Sequence, residues 1–272
     1  MGLLRSWLLL AITSGPAWST TSNRGAEVDL IFPRNESFSP SHLMPIVFAV
    51  QNPNLLSSLR PILSYRVSQL NVSPLDRIRK GDLIRLFEHN LTDVADPYLL
   101  YWSIDLAVEG TFKFTWQLTL DNCSYNADID KIDGHVFGGQ LMQFSFSTKQ
   151  GAAPPDLVAF AEEETCNRTL AQAVHVPSAL ELPPTRTAGW GGPSCAVNPD
   201  LSPTPSPCNI KIDSAAAASI SASLTVAACN NWFRTGVSCP TPSSENAASM
   251  PRFPVTRAWI LAVGTWLAYN IA

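Results

Sequence analysis

Between Glu27 and Lys149 apolar and polar residues alternate in short runs, and clusters of Pro, Asn, Asp and Gly separate the runs. Residues 112–120 (FKFTWQLTL) place an apolar side chain at every second position. That period is the mark of a strand with one face buried. Leu100, Trp102, Ile104 and Leu106 repeat it, with Tyr101, Ser103 and Asp105 on the opposite side. Three further stripes are Leu63, Tyr65, Val67; Met142, Phe144, Phe146; and Val28, Leu30, Phe32. Residues 46–50 are continuously apolar, as in a central strand, and 84–88 is a less regular candidate. Seven short strands with turn signals between them predict an immunoglobulin-like antiparallel β-sandwich, mainly β. Trp102 and Trp116 fall on inward faces and are expected in its core.

The pattern changes after residue 150. Residues 151–155 (GAAPP) read as a linker, 174–182 as one more strand, and 199–207 as a Pro/Ser loop. Asp213 is placed to cap a helix of small residues over 214–228. All six cysteines stand beyond residue 120: Cys123, Cys166, Cys195, Cys208, Cys229 and Cys239. An even number in a secreted chain implies three disulfides, with fifteen possible connectivities. No pair has the CxxC spacing that would favour zinc. Cys123 is expected to pair with Cys166, because each adjoins a glycosylation sequon. The front half must therefore rely on an apolar core and the back half on staples. This predicts a core domain over 20–150 and a Cys-rich region, with one short helix, over 151–238.

Both ends carry addresses. Arg5, the apolar run 7–12 and the small residues around Ala17 and Ser19 make residues 1–19 a signal peptide. The last fifteen residues, 258–272, are apolar. As a helix they cover about 22 Å, against roughly 30 Å of hydrocarbon in a bilayer. Spanning and removal both remain open, and the short length favours removal. Before the tail lie three small residues, 246–248, and a nine-residue spacer, 249–257. Triplet, spacer and apolar tail form the signal for a glycosylphosphatidylinositol (GPI) anchor. On that reading Asn246 carries the lipid, 239–246 is a Pro/Ser/Thr stalk, and 247–272 is a removed propeptide. The trimmed ends hold Arg5, Arg252 and Arg257 and no acidic residue, so the net charge moves from −4 to −7. An acidic surface argues against a nucleic-acid partner.

Five sequons follow the signal: Asn35, Asn71, Asn90, Asn122 and Asn167 each begin an N-x-S/T triplet. They are expected to carry N-glycans on exposed loops. With these features in place, three stretches, 27–55, 110–123 and 207–222, carry a resemblance to a family of secreted proteins of filamentous fungi that often end in GPI signals. With the connecting strands, the likeness covers 27–230. That family is a domain of unknown function. The resemblance implies an extracellular fungal surface protein and brings no catalytic residues with it.

Catalytic patterns are missing from the sequence. There is no GxSxG, HExxH, P-loop or GxGxxG. His42, His89, His135 and His175 are widely spaced and read as solvated, so no metal or other cofactor is expected. Asp128, Asp130, Asp133 and Gly134 approach a calcium loop, but the third carboxylate is one position late and no glutamate closes it. Glu162, Glu163 and Glu164 read as an exposed charge run, and Glu109 and Asp121 merely bracket the best strand. Trp190 and Trp232 stand outside regular alternation and could stack on sugars, or pack over the disulfides. The expectation is a non-enzymatic, GPI-anchored glycoprotein of the cell surface, held at the plasma membrane or in the wall, with a structural or interaction role. A module binding cell-wall polysaccharide through Trp190 or Trp232 is the alternative. A glycoside hydrolase stands behind it and requires two carboxylates converging in a cleft.

Overall fold

The computed structural model describes residues 25–75, 77–126, 131–167, 169–182, 193–231 and 236–240. Its strands are β1 (Ala26–Phe32), β2 (Ser37–Phe38), β3 (Ser41–Gln51), β4 (Ile62–Gln69), β5 (Arg79–Arg85), β6 (Tyr98–Leu106), β7 (Gly110–Asn126), β8 (Lys131–Gly138), β9 (Met142–Thr148), β10 (Ala171–Val174), β11 (Ser178–Glu181) and β12 (Ser194–Val197). One sheet has the order β10-β1-β3-β6; a second runs β2-β9-β7-β4-β5, with β8 pairing the far end of β7; and β11 with β12 forms a small third sheet. All pairs are antiparallel except β2 with β9.

The two sheets pack face to face, as the alternation predicts. Phe48 on β3 meets the edge of Trp116 on β7 at 5.4 Å between ring centroids. Tyr65 on β4 lies 5.0 Å from Trp102 on β6, and Trp102 Nε1 donates to the Tyr65 hydroxyl at 2.5 Å. Burial pushes the Tyr65 hydroxyl up to about 12, with the Asp82 charge adding to it and the Trp102 hydrogen bond opposing it. The hydroxyl therefore stays protonated and able to bridge the sheets. Phe112, Phe114, Trp116, Leu118 and Leu120, the inward set of β7, are all buried. The fold is a β-sandwich, mainly β.

The helix predicted over 214–228 is present as Ser214–Cys229, and Asp213 caps it by accepting from the Ala216 amide at 2.7 Å. Ile220, Leu224 and Ala228 are buried at four-residue spacing, which lays one stripe against β3 and β6. Removing the cap leaves first-turn amides without a partner. Asp213→Ala is expected to cost about 1 kcal/mol, measurable as a lower thermal midpoint.

Several elements differ from the alternation. The irregular strand of 84–88 is instead β5, ending at Arg85 and followed by a short 3-10 turn, Leu86–Glu88. The 174–182 strand divides into β10 and β11. β8 (KIDGHVFG) has no apolar alternation, because it is an exposed strand held by its register with β7. The region past residue 150 also joins the same core. β10 pairs with β1, and Leu157, Phe160, Ile210, Ile212, Ile220 and Leu224 belong to the main buried cluster. The expected division near 150 is thus crossed by a sheet and by the core.

The cysteines pair as Cys123–Cys195, Cys166–Cys208 and Cys229–Cys239. The expected Cys123–Cys166 bond is wrong. Cys123 sits at the far end of β7 over a small satellite cluster with Leu182 and Cys195, whereas Cys166 ends the short helix Glu163–Cys166 beside the turn Pro207–Asn209. Nearness to a sequon carries no information about spatial nearness of thiols. Among the described residues no helix is long and apolar enough to cross a membrane.

Candidate functional site

Three sequons lie where a glycan needs them. Asn35, Asn71 and Asn90 are exposed and stand between strands. Asn71 takes a left-handed backbone with φ 57°, a turn conformation that asparagine tolerates. Thr92 Oγ1 donates to Asn90 Oδ1 at 2.8 Å, which holds that sequon in a compact turn. Asn167 is exposed at the end of the short helix Glu163–Cys166. Asn122 is different. β7 runs on to Asn126, so Asn122 lies inside a paired strand opposite His135 and not past a strand end. Its Oδ1 is buried without a hydrogen-bond partner.

Trp190, Trp232, Asn246, Asp128 and Asp130 lie outside the described residues, as do the terminal segments and most of the stalk. Asp133 and Gly134 form part of β8, in register with Ser124 and Cys123. The histidines are far apart and mostly engaged. His42 Nδ1 pairs with Asp105 at 3.0 Å, His89 Nδ1 with the Tyr98 hydroxyl at 2.9 Å, and His135 Nε2 with Ser124 at 3.0 Å. Burial lowers the pKa of His89 and the neighbouring Glu88 opposes this. The expectation of simply solvated histidines is therefore corrected. The Glu162–Glu164 run is exposed. Asp121 is buried and bonded to Arg60 Nη1 at 2.9 Å, while Glu109 caps the Gln150 amide at the opposite end of β7.

Two carboxylates do converge, in a place the alternation did not mark. Glu27 and Asp29 occupy β1 at i and i+2 and so point to one face. Alternation with Val28 and Leu30 suggests they face water. The structure buries both, with Glu27 7% and Asp29 0% exposed, because β1 is an inner strand and the 203–210 loop covers its outer side. Gln51 Nε2 donates to Glu27 Oε1 at 3.2 Å and to Asp29 Oδ2 at 3.0 Å. The Ser206 amide donates to both Glu27 oxygens at 2.8 Å. Asp29 Oδ1 has no donor. Burial pushes the Asp29 carboxyl up to about 9, and its hydrogen bond to Glu27 and the Glu27 charge push the same way, with Gln51 opposing. Asp29 thus holds a proton at neutral pH and gives it to Glu27 as a hydrogen bond. Hydrolysis of a glycoside needs carboxyls several ångströms apart with sugar or water between them. This pair touches, and it ties the 203–210 loop to the sheet.

A groove crosses the outer face of the second sheet. Register places Arg79, Ser68, Lys113 and Ser145 in one cross-strand row, and Gly81, Arg66, Thr115 and Gln143 in the next. The groove, of about 970 Å³, runs over these rows. Arg66, Arg79 and Lys113 line it from the outward rows, and Lys80 and Asp82, one cation and one carboxylate, also line it from edge-strand positions in register with the inward Val67 and Tyr65. Asp82 pairs in register with the inward Tyr65 and stands on the edge strand, where its Oδ1 accepts from the Leu83 amide at 2.7 Å. On a chain of net charge −4 this face is locally basic.

The fold is a β-sandwich stapled by three disulfides, bonds that form under oxidising conditions, which is consistent with an extracellular protein. The chain belongs to the family described as a domain of unknown function, DUF7136, whose model matches residues 21–239. No curated protein and no solved structure matches it.

Proposed function

We propose that this protein is a non-enzymatic, GPI-anchored glycoprotein of the fungal cell surface, with a structural or interaction role at the plasma membrane or in the wall. The observation that carries the reading is the agreement of two independent boundaries. The family match covers 21–239, the span left between the signal segment and the stalk and tail. Exposed Asn35, Asn71, Asn90 and Asn167 support glycosylation of that span, and three disulfides support an oxidising destination. The mutual contact of the Glu27 and Asp29 carboxyls, which leaves no room for sugar or water between them, supports a role other than hydrolysis.

The anchor is tested on whole cells expressing the full chain. Phosphatidylinositol-specific phospholipase C is expected to move the protein from the membrane pellet to the supernatant, and replacing Asn246 together with Ser243 and Ser244, the small residues just before it that are its fallback attachment sites, is expected to abolish anchoring. Retention in the pellet while known anchored proteins are released would refute the anchor. Peptide-N-glycosidase F is expected to sharpen and lower the gel band. Peptide mapping should find glycan at Asn35, Asn71 and Asn90 and a much lower occupancy at Asn122.

A further inference from the structure

We infer that the outer face of the second sheet docks an acidic polysaccharide, a polyuronate-type chain whose carboxylates meet Arg66, Arg79 and Lys113. This gives the interaction role proposed above a surface and a partner, and it rests on that reading only for where the partner is met.

Three observations carry it. The first is charge. Arg66 and Lys113 lie on inner strands of the sheet, so they are not explained as edge protection, the ordinary use of cations on an exposed edge strand such as β5. Among the described residues no ion pair engages Arg66, Arg79 or Lys113, and the one carboxylate that lines the groove, Asp82, stands on the same edge strand as Arg79 and Lys80. The second is spacing. Arg79 and Lys113 flank Ser68 in one row, which sets their Cα atoms about 10 Å apart. Arg66 stands one row along. An extended polymer crossing the strands meets cations at intervals and, between them, Ser68, Thr115 and Gln143, whose hydroxyl and amide groups suit sugar hydroxyls. The third is access. None of the five sequons falls on these rows.

The same observations weigh against other occupants. No aromatic side chain points outward from the two rows to anchor a peptide. Of the described residues lining the groove, Leu83 and Leu141 are the large apolar side chains exposed to solvent, and two such residues make no patch that would insert into lipid.

The test uses the full secreted glycoprotein in solution, so that it is independent of anchoring. Probes are polygalacturonate, a neutral β-glucan, and vesicles containing phosphatidylserine, measured by affinity electrophoresis and sedimentation. Retardation by polygalacturonate is expected at low salt and is expected to vanish at 1 M salt, where the screening length falls to about 3 Å. Arg66→Gln with Lys113→Gln should weaken retardation about tenfold at an unchanged thermal midpoint. Arg79→Gln, on the edge strand, gives a second variant if the first loses its fold. Retardation by β-glucan equal to that by polygalacturonate, binding to the vesicles without polygalacturonate binding, no retardation by any probe, or full binding in the folded charge variants would each overturn the proposal. Loss of the anchor result above would leave this outcome unaffected.

Discussion

Asp29→Asn is expected to stabilise the protein at neutral pH and to flatten the fall of its melting temperature as pH rises from about 4 to 9. In the unfolded chain the Asp29 carboxyl ionises near 3.8, while in the fold burial raises it to about 9. Folding therefore takes up a proton throughout that window. Stability is fully present below pH 3.8 and is lost as pH rises through the folded value. The slope approaches about 1.4 kcal/mol per pH unit for one proton. Asparagine removes the titration and keeps the contacts, since its amide donates to Glu27 and its carbonyl accepts from Gln51. Thermal melts of both proteins across this range are the measurement. Curves that run parallel at every pH would show that Asp29 is ionised in the folded state.

Removing the Cys123–Cys195 bond with a double alanine variant is expected to be the most costly disulfide loss. It spans 72 residues, against 42 for Cys166–Cys208 and 10 for Cys229–Cys239. Constraint on the unfolded chain grows slowly with loop length, giving about 4.4, 3.9 and 2.7 kcal/mol in that order. The first bond also pins the β11–β12 strand pair, which has a small apolar cluster of its own, with Leu182, Ile132, Leu180 and Val197 around the two sulfurs. The variant should lower the denaturation midpoint and open 178–197 to protease before the sandwich unfolds. If the Cys229 and Cys239 double variant loses more stability, strain or local packing outweighs loop length.

The parts of the fold legible in the sequence are those where one face meets the core and the other meets water. β4, β6, β7 and β9 are of this kind, and their stripes place the inward residues correctly. The Asp213 cap was equally readable, because capping is local chemistry. The alternation marks β1 as a strand but does not mark its surroundings. Two acidic residues alternating with Val28 and Leu30 look the same whether water or a later loop covers them. β8 is not legible in the sequence, because an exposed strand needs no apolar face. The cysteine pairing is not legible either, because it depends on where β7 ends in space. The cation rows were illegible for a related reason: Arg66, Arg79 and Lys113 become neighbours only through the register of three strands.

The burial of β1 also orders events in time. Its partners are β3, which follows it closely, and β10, which lies some 140 residues later in the chain. Glu27 then waits for the amide of Ser206. A growing chain emerging from its amino end holds β1 with one side unpaired and a carboxyl pair uncovered until its last third has appeared. Non-local pairings of this kind slow folding and prolong the exposure of strand edges. A chain halted near residue 150 keeps the stripes of the sandwich and lacks the strand and loop that close over its first strand, which makes such a product a natural client for chaperones.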